Sequence, residues 1–126
     1  MPAKRQEQLP VANPFRSDWL AHKSFDGSCP MDPWIVPAEA VGDPQHLGLK
    51  LWVNDVPKQD SSTGKMICTL AEQIAQLSSR ITLYPGDVIL TGTRAGVGAG
   101  RGEFLKRGDV VKLWIEKIGS LTNTMV

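Results

Sequence analysis

The sequence predicts an α+β domain, mainly β, built of short strands with one capped helix over about residues 69–81. Three observations carry this. Apolar and polar residues alternate at Leu49–Val53 and again at Val110–Glu116, the period-2 pattern of half-buried strands. Thr69 and Glu72 form an S/T-x-x-E capping box ahead of an apolar stripe. Nine prolines and twelve glycines accompany 41% hydrophobic residues, a balance that suits a loop-rich, strand-rich globule better than a helical bundle.

In chain order, Met1 to Arg16 is polar, interrupted by Pro2, Pro10 and Pro14, and aperiodic, so residues 1–16 read as an irregular lead-in. Asp18 to Pro37 holds Trp19, Phe25, Trp34 and prolines at 30, 33 and 37, which remove donors and exclude a regular helix. It reads as a long ordered loop, a kind of segment that is usually functional. Val41–Gly42–Asp43–Pro44 is a turn. Leu49–Val53 is a strand with Leu49, Leu51 and Val53 on one face; Asn54–Asp55 turns it into a short return strand, Val56–Gln59. Pro57 places that strand at a sheet edge.

From Thr69, the residues Leu70, Ile74, Leu77 and Ile81 form a stripe for packing on a sheet, with Gln73, Gln76 and Arg80 off it and solvated. Tyr84–Pro85–Gly86–Asp87 turns into a strand, Val88–Leu90. The chain then enters Thr91–Gly92–Thr93 and a segment with glycines at 96, 98, 100 and 102. A further turn at 106–109 leads to the strand Val110–Glu116. Residues 117–120 turn again, and Leu121–Val126 pairs back.

A net charge of +1 leaves no electrostatic footprint for nucleic acid or an anionic membrane. No apolar run approaches the roughly 20 residues of a membrane span, and no signal-peptide core is present. The expectation is a cytoplasmic protein with Cys29 and Cys68 as free thiols.

Lys23 lies in His-Lys-Ser-Phe-Asp. It is either a solvated surface charge, or a cation for a carboxylate or enolate oxygen, or a lysine with its pKa lowered enough to act as a base. Thr91 and Thr93 are either ordinary strand threonines or two hydroxyls aimed the same way at an anion. His22 and His46 show no acidic partner at metal or triad spacing. Asp26 and Asp32 read as turn acceptors, and Cys29 has no basic neighbour to make it a thiolate. No Glu-x-Glu, His-x-His or carboxylate cluster is present to hold a metal. The motif speaks against a phosphate cradle, since no Gly-Lys-Ser/Thr follows the glycines and the loop does not open onto a periodic helix.

Taken together, the stretches KSFDGSCPM and PWIVP within Lys23–Pro37, LKLWVND, STGKMI, the capped helix, YPGDVILTGT, AGVG and FLKRGDVVKLWIEKIG resemble, in order, the C-terminal part of the fumarylacetoacetate hydrolase family over residues 17–126. The resemblance implies a fragment of a mixed β-sandwich or roll. It also implies a hydrolase or lyase that splits, hydrates or decarboxylates keto or diketo acids, as in aromatic compound catabolism, and a homodimer when the full domain is present. The implied cofactor is a divalent metal, Mg²⁺ or Mn²⁺, chelating the substrate's oxo-acid oxygens. Lys23 is similar to the family's active-site lysine, and Thr93 to the residue that hydrogen-bonds the substrate carboxylate. The family's metal ligands precede the lysine loop, and residues 1–16 contain no counterpart, so the chain reads as truncated there. The alternative is an inactive remnant or complementing half. Asp32 stands where the family has glycine, and Arg94 where TGTP has proline.

Overall fold

The computed structural model describes residues 23–31 and 34–126. The lead-in at 1–16, His22 and Asp32 lie outside them. Among the described residues, four antiparallel strands form one sheet: β1 (Gly48–Val53), β2 (Val56–Ser62), β3 (Val110–Ile115) and β4 (Gly119–Thr124), in the order β2-β1-β3-β4.

The β1–β2 hairpin turns on Asn54 and Asp55, both at positive φ (51° and 63°), the turn whose twist suits a two-residue hairpin. Pro57 lies on an edge strand, where a missing N–H costs no ladder bond. It faces Trp52 at the point where the register slips between Leu51 and Trp52. β2 continues past the expected Gln59 to Ser62, because its polar half is held by pairing to β1 rather than by side-chain alternation.

β1 and β3 are fastened at both ends. The Asn54 side chain accepts from Val110 N (2.8 Å) and donates to Asp109 Oδ1 (2.8 Å). At the other end the Glu116 carboxylate accepts from Gly48 N (2.9 Å), and Glu116 N donates to Gly48 O (2.9 Å). The register sets Leu49 opposite Ile115, Leu51 opposite Leu113 and Val53 opposite Val111, with Leu113 also opposite Leu121. Facing residues share a side of the sheet, so these make one apolar face. The other face carries Lys50, Trp52, Lys112 and Trp114, with the Lys112 ammonium 5.8 Å from the Trp52 ring.

Val41 and Leu47 are the buried hydrophobic residues among those described. Trp34 donates its indole N–H to Ile118 O (2.8 Å) and lies against Gly119, where a Cβ would meet the ring at 2.9 Å. Gly119 also has φ 123°, so glycine is required twice over.

The expected strand Val88–Leu90 is not formed. These residues pair with none of the four strands, and Val88 and Leu90 are exposed. Three consecutive apolar residues carry no alternation, and without a ladder partner they stay irregular.

A one-turn helix, α1, spans Ala38–Val41, and the longer helix, α2, spans Leu70–Ser78, with Thr69 as N-cap and the capping box complete: Glu72 N donates to Thr69 Oγ1, and Thr69 N to Glu72 Oε2 (2.7 Å). It ends before the expected Ile81, where the Ser78 and Ser79 hydroxyls bond back to the carbonyls of Ala75 and Gln76 and compete with helix propagation. Leu70 and Leu77 are half-buried, but Ile74 is 49% and Ile81 57% exposed, so the stripe is only partly covered. Thr69→Ala is expected to cost about 1 kcal/mol and to speed amide exchange in the first turn. Unchanged exchange there would show that the box is dispensable.

Candidate functional site

The site grows from the segment that crosses the apolar sheet face after Leu90. Its backbone comes close enough to β2 that a Cβ on Gly96 would run into the Lys58 carbonyl oxygen, and Gly96 has φ 103°. Only glycine fits there. The Gln59 side-chain amide donates to Arg94 O (2.9 Å), Ala95 O (3.2 Å) and Thr93 Oγ1 (3.4 Å). Arg101 donates to Gly96 O (2.7 Å) and to Glu103 Oε2 (3.1 Å), and Lys58 Nζ reaches the same carboxylate oxygen at 2.9 Å. A loop of small residues thus acquires a fixed path from polar side chains on its own ends and on β2.

Thr93 stands between two hollows. One, of about 290 Å³, is largely apolar and lined by Leu51, Val53, Gln59, Thr93, Val97 and Phe104 among others. The second, of about 300 Å³, is bordered by Leu49, Thr63, Gln73, Thr91, Thr93 and Arg94, with Cys68 at its rim. Thr91, Thr93 and Arg94 therefore meet at one cavity. Arg94 is half-buried and has no acid within ion-pair distance among the described residues. Two hydroxyl donors beside a guanidinium can bind a carboxylate.

Lys23 is exposed, its carbonyl accepts from Ser28 Oγ (2.9 Å), and it lines neither of these two hollows. Gln73, expected to be solvated, is half-buried, donates to Cys68 O (3.0 Å) and borders the second hollow. His46 does have an acidic partner, with Nδ1 2.6 Å from Asp43 Oδ2, but both side chains are exposed and belong to a turn. Cys29 and Cys68 are free thiols, as expected. Gln59, Lys58, Arg101 and Glu103 escape the sequence reading. The available signal is a strand whose polar residues outnumber what one solvated face needs.

Among the described residues, no group of three or more His, Cys, Asp or Glu side chains could hold a metal ion. They do not fit the divalent cation that the resemblance implies. Among the same residues, no helix is long and apolar enough to cross a membrane.

Among the described residues, four carboxyls sit below their ordinary range. Glu103 is held down by hydrogen bonds from Lys58 and Arg101, Asp109 by the Asn54 side chain and the Lys106 N–H, Asp43 by the Gln45 N–H and His46, and Glu72 by Thr69. Each has a lower pKa folded than unfolded, so the unfolded chain binds more protons in acid. Their stabilisation is complete above the ordinary carboxylate values of 3.8 and 4.5, and is lost as the pH falls through the lower folded values. The melting temperature should therefore drop on acidification below about pH 4.5. A melting temperature that held steady or rose there would contradict these pairings.

The C-terminal family model of fumarylacetoacetate (FAA) hydrolase matches residues 3–126. A 2,4-didehydro-3-deoxy-L-rhamnonate hydrolase of Sphingomonas sp. (strain SKA58) is 45% identical over 107 residues, covering 82% of this chain and 38% of that protein. A fumarylacetoacetate hydrolase from Exiguobacterium antarcticum superposes with TM-score 0.80 at 40% identity, covering 83% of this chain and 38% of the other. Maleylpyruvate hydrolase from Sphingobium sp. SYK-6, in complex with manganese(II) and pyruvate, superposes with TM-score 0.75 at 36% identity, covering 92% and 40%. The chain thus spans about two-fifths of the length of these relatives.

Proposed function

This chain belongs to the fumarylacetoacetate hydrolase family, and we propose that it supplies the carboxylate-anchoring part of a site for a keto or diketo acid. The observation that carries the proposal is the meeting of Thr91, Thr93 and half-buried Arg94 at one cavity of about 300 Å³. In this reading the Thr93 hydroxyl donates to a carboxylate oxygen of the substrate, and Arg94 contributes the compensating charge. The reaction class is hydrolysis, hydration or decarboxylation of the acid through an enolate. Donors fixed in advance where negative charge resides supply much of such catalysis.

Lys23 enters through its motif alone, as a cation for the developing enolate; it is not among the residues that line the Thr93 cavity. A divalent metal, Mg²⁺ or Mn²⁺, is the cofactor this membership suggests, and the described residues provide no ligand set for it. Calorimetric titration with oxalate, an enolate mimic, with and without Mg²⁺, tests the anchoring. Saturable heat supports it. No heat under either condition argues against it.

A second reading, that the chain is one half of a complementing pair, draws on the exposed apolar residues. Ile35 is 95%, Ile67 101%, Leu90 72% and Phe104 74% exposed. Side chains of this kind in such number favour a covered state. It predicts concentration-dependent self-association in sedimentation, and a strictly monomeric, cooperatively melting chain would count against it.

A further inference from the structure

Resting on the carboxylate-anchoring reading, we infer that Gln59 is the positioning residue that fixes Thr93 as a hydrogen-bond donor. Gln59 lies on β2, 34 residues before Thr93, and its amide nitrogen is within reach of three acceptors. An amide has two N–H bonds. The bonds to Arg94 O at 2.9 Å and Ala95 O at 3.2 Å are the shorter pair, and the 3.4 Å approach to Thr93 Oγ1 is the long arm of a shared bond.

The consequence is chemical as well as geometric. Two successive loop carbonyls are pinned to the sheet, which sets where the Thr93 Cβ stands. The long arm of the shared bond points a Gln59 N–H at Oγ1, so the hydroxyl does not donate to that nitrogen and keeps its own proton for another acceptor. A hydroxyl can accept and donate at once, and a carboxylate requires a donor. Gly96 reinforces the arrangement, because its missing Cβ lets the loop lie on the Lys58 carbonyl directly beside Gln59. Gln59 also lines the apolar hollow on the far side of Thr93. It touches the loop from behind and acts through Thr93.

The test compares wild type, Gln59→Leu and Gln59→Glu by hydrogen exchange and by oxalate titration. In both variants at pH 7, amides 93–97 should exchange at least about tenfold faster while β1 and β3 stay protected, and oxalate affinity should fall roughly tenfold. The carboxyl introduced by Gln59→Glu is isosteric with the amide but donates only when protonated. The Gln59→Glu loop should therefore regain protection, relative to Gln59→Leu, as the pH is lowered into the carboxyl range. A residue that merely fills space would not produce that profile. Unchanged exchange at 93–97, a Gln59→Glu profile without acid recovery, or faster exchange with unaltered oxalate affinity would each overturn the inference. If wild type fails to bind oxalate, the anchoring reading falls, and with it the donor role; the acid recovery of Gln59→Glu then reports only whether the clamp on the loop exists.

Discussion

Replacing Thr93 by valine is expected to weaken oxalate binding by roughly 10- to 100-fold with little change in stability. The substitution exchanges a hydroxyl for a methyl of nearly the same shape. Thr93 is exposed, so no buried polar group is orphaned. The loop keeps its two shorter bonds from Gln59, to Arg94 O and Ala95 O. What disappears is one hydrogen bond to a charged acceptor, worth about 1.5–3 kcal/mol, which converts at about 1.4 kcal/mol per decade into the stated range. Thr91→Val, at the same cavity, is the comparison that separates the two hydroxyls. Equal affinity in wild type and Thr93→Val, measured by calorimetry, would remove Thr93 from the site.

Gly96→Ala should be strongly damaging, costing on the order of 3 kcal/mol. Two effects add. A φ of 103° is a conformation that L side chains rarely adopt, and the new Cβ would collide with the Lys58 carbonyl, with Gln59 Cγ at 3.0 Å behind it. The Lys58 carbonyl belongs to β2, which is held by pairing to β1, so the loop must move instead. Displacing it pulls Arg94 O and Ala95 O from Gln59 and Gly96 O from Arg101, so anion affinity should fall along with stability. Gly100 provides the control. A Cβ there meets nothing within 4 Å, and its φ is not positive, so Gly100→Ala should be nearly neutral. A Gly96→Ala chain as stable in urea as Gly100→Ala would contradict the close approach.

The parts of this fold legible in the sequence are those decided by neighbours along the chain. Alternation locates β1 and β3, two turn-forming residues locate the first hairpin, Pro57 marks the edge strand, and Thr69 with Glu72 marks the helix start. Each rests on a local hydrogen bond or a local period. The helix end is not legible in this way, because Ser78 and Ser79 bond to their own backbone, a competition that an apolar stripe reaching Ile81 conceals. Val88–Leu90 misleads because a strand needs a partner, and apolar content alone does not provide one.

The candidate site is half legible. The Thr-Gly-Thr segment stands out by composition, and its meeting with Arg94 at one cavity depends on a backbone path that composition does not encode. Gln59 has no local signature, since its acceptors lie 34 to 36 residues away. Lys23 stands out by motif, and which residues line the cavity is a property of tertiary structure that no motif states.

The most direct measurement is an NMR titration of the chain with pyruvate, followed through backbone and side-chain resonances. Saturable shifts centred on Thr91, Thr93, Arg94 and the Gln59 side-chain amide are the expected result. Shifts that avoid this loop, or that scatter over surface cations such as Lys50 and Lys112 without saturating, would contradict a carboxylate site at Thr93.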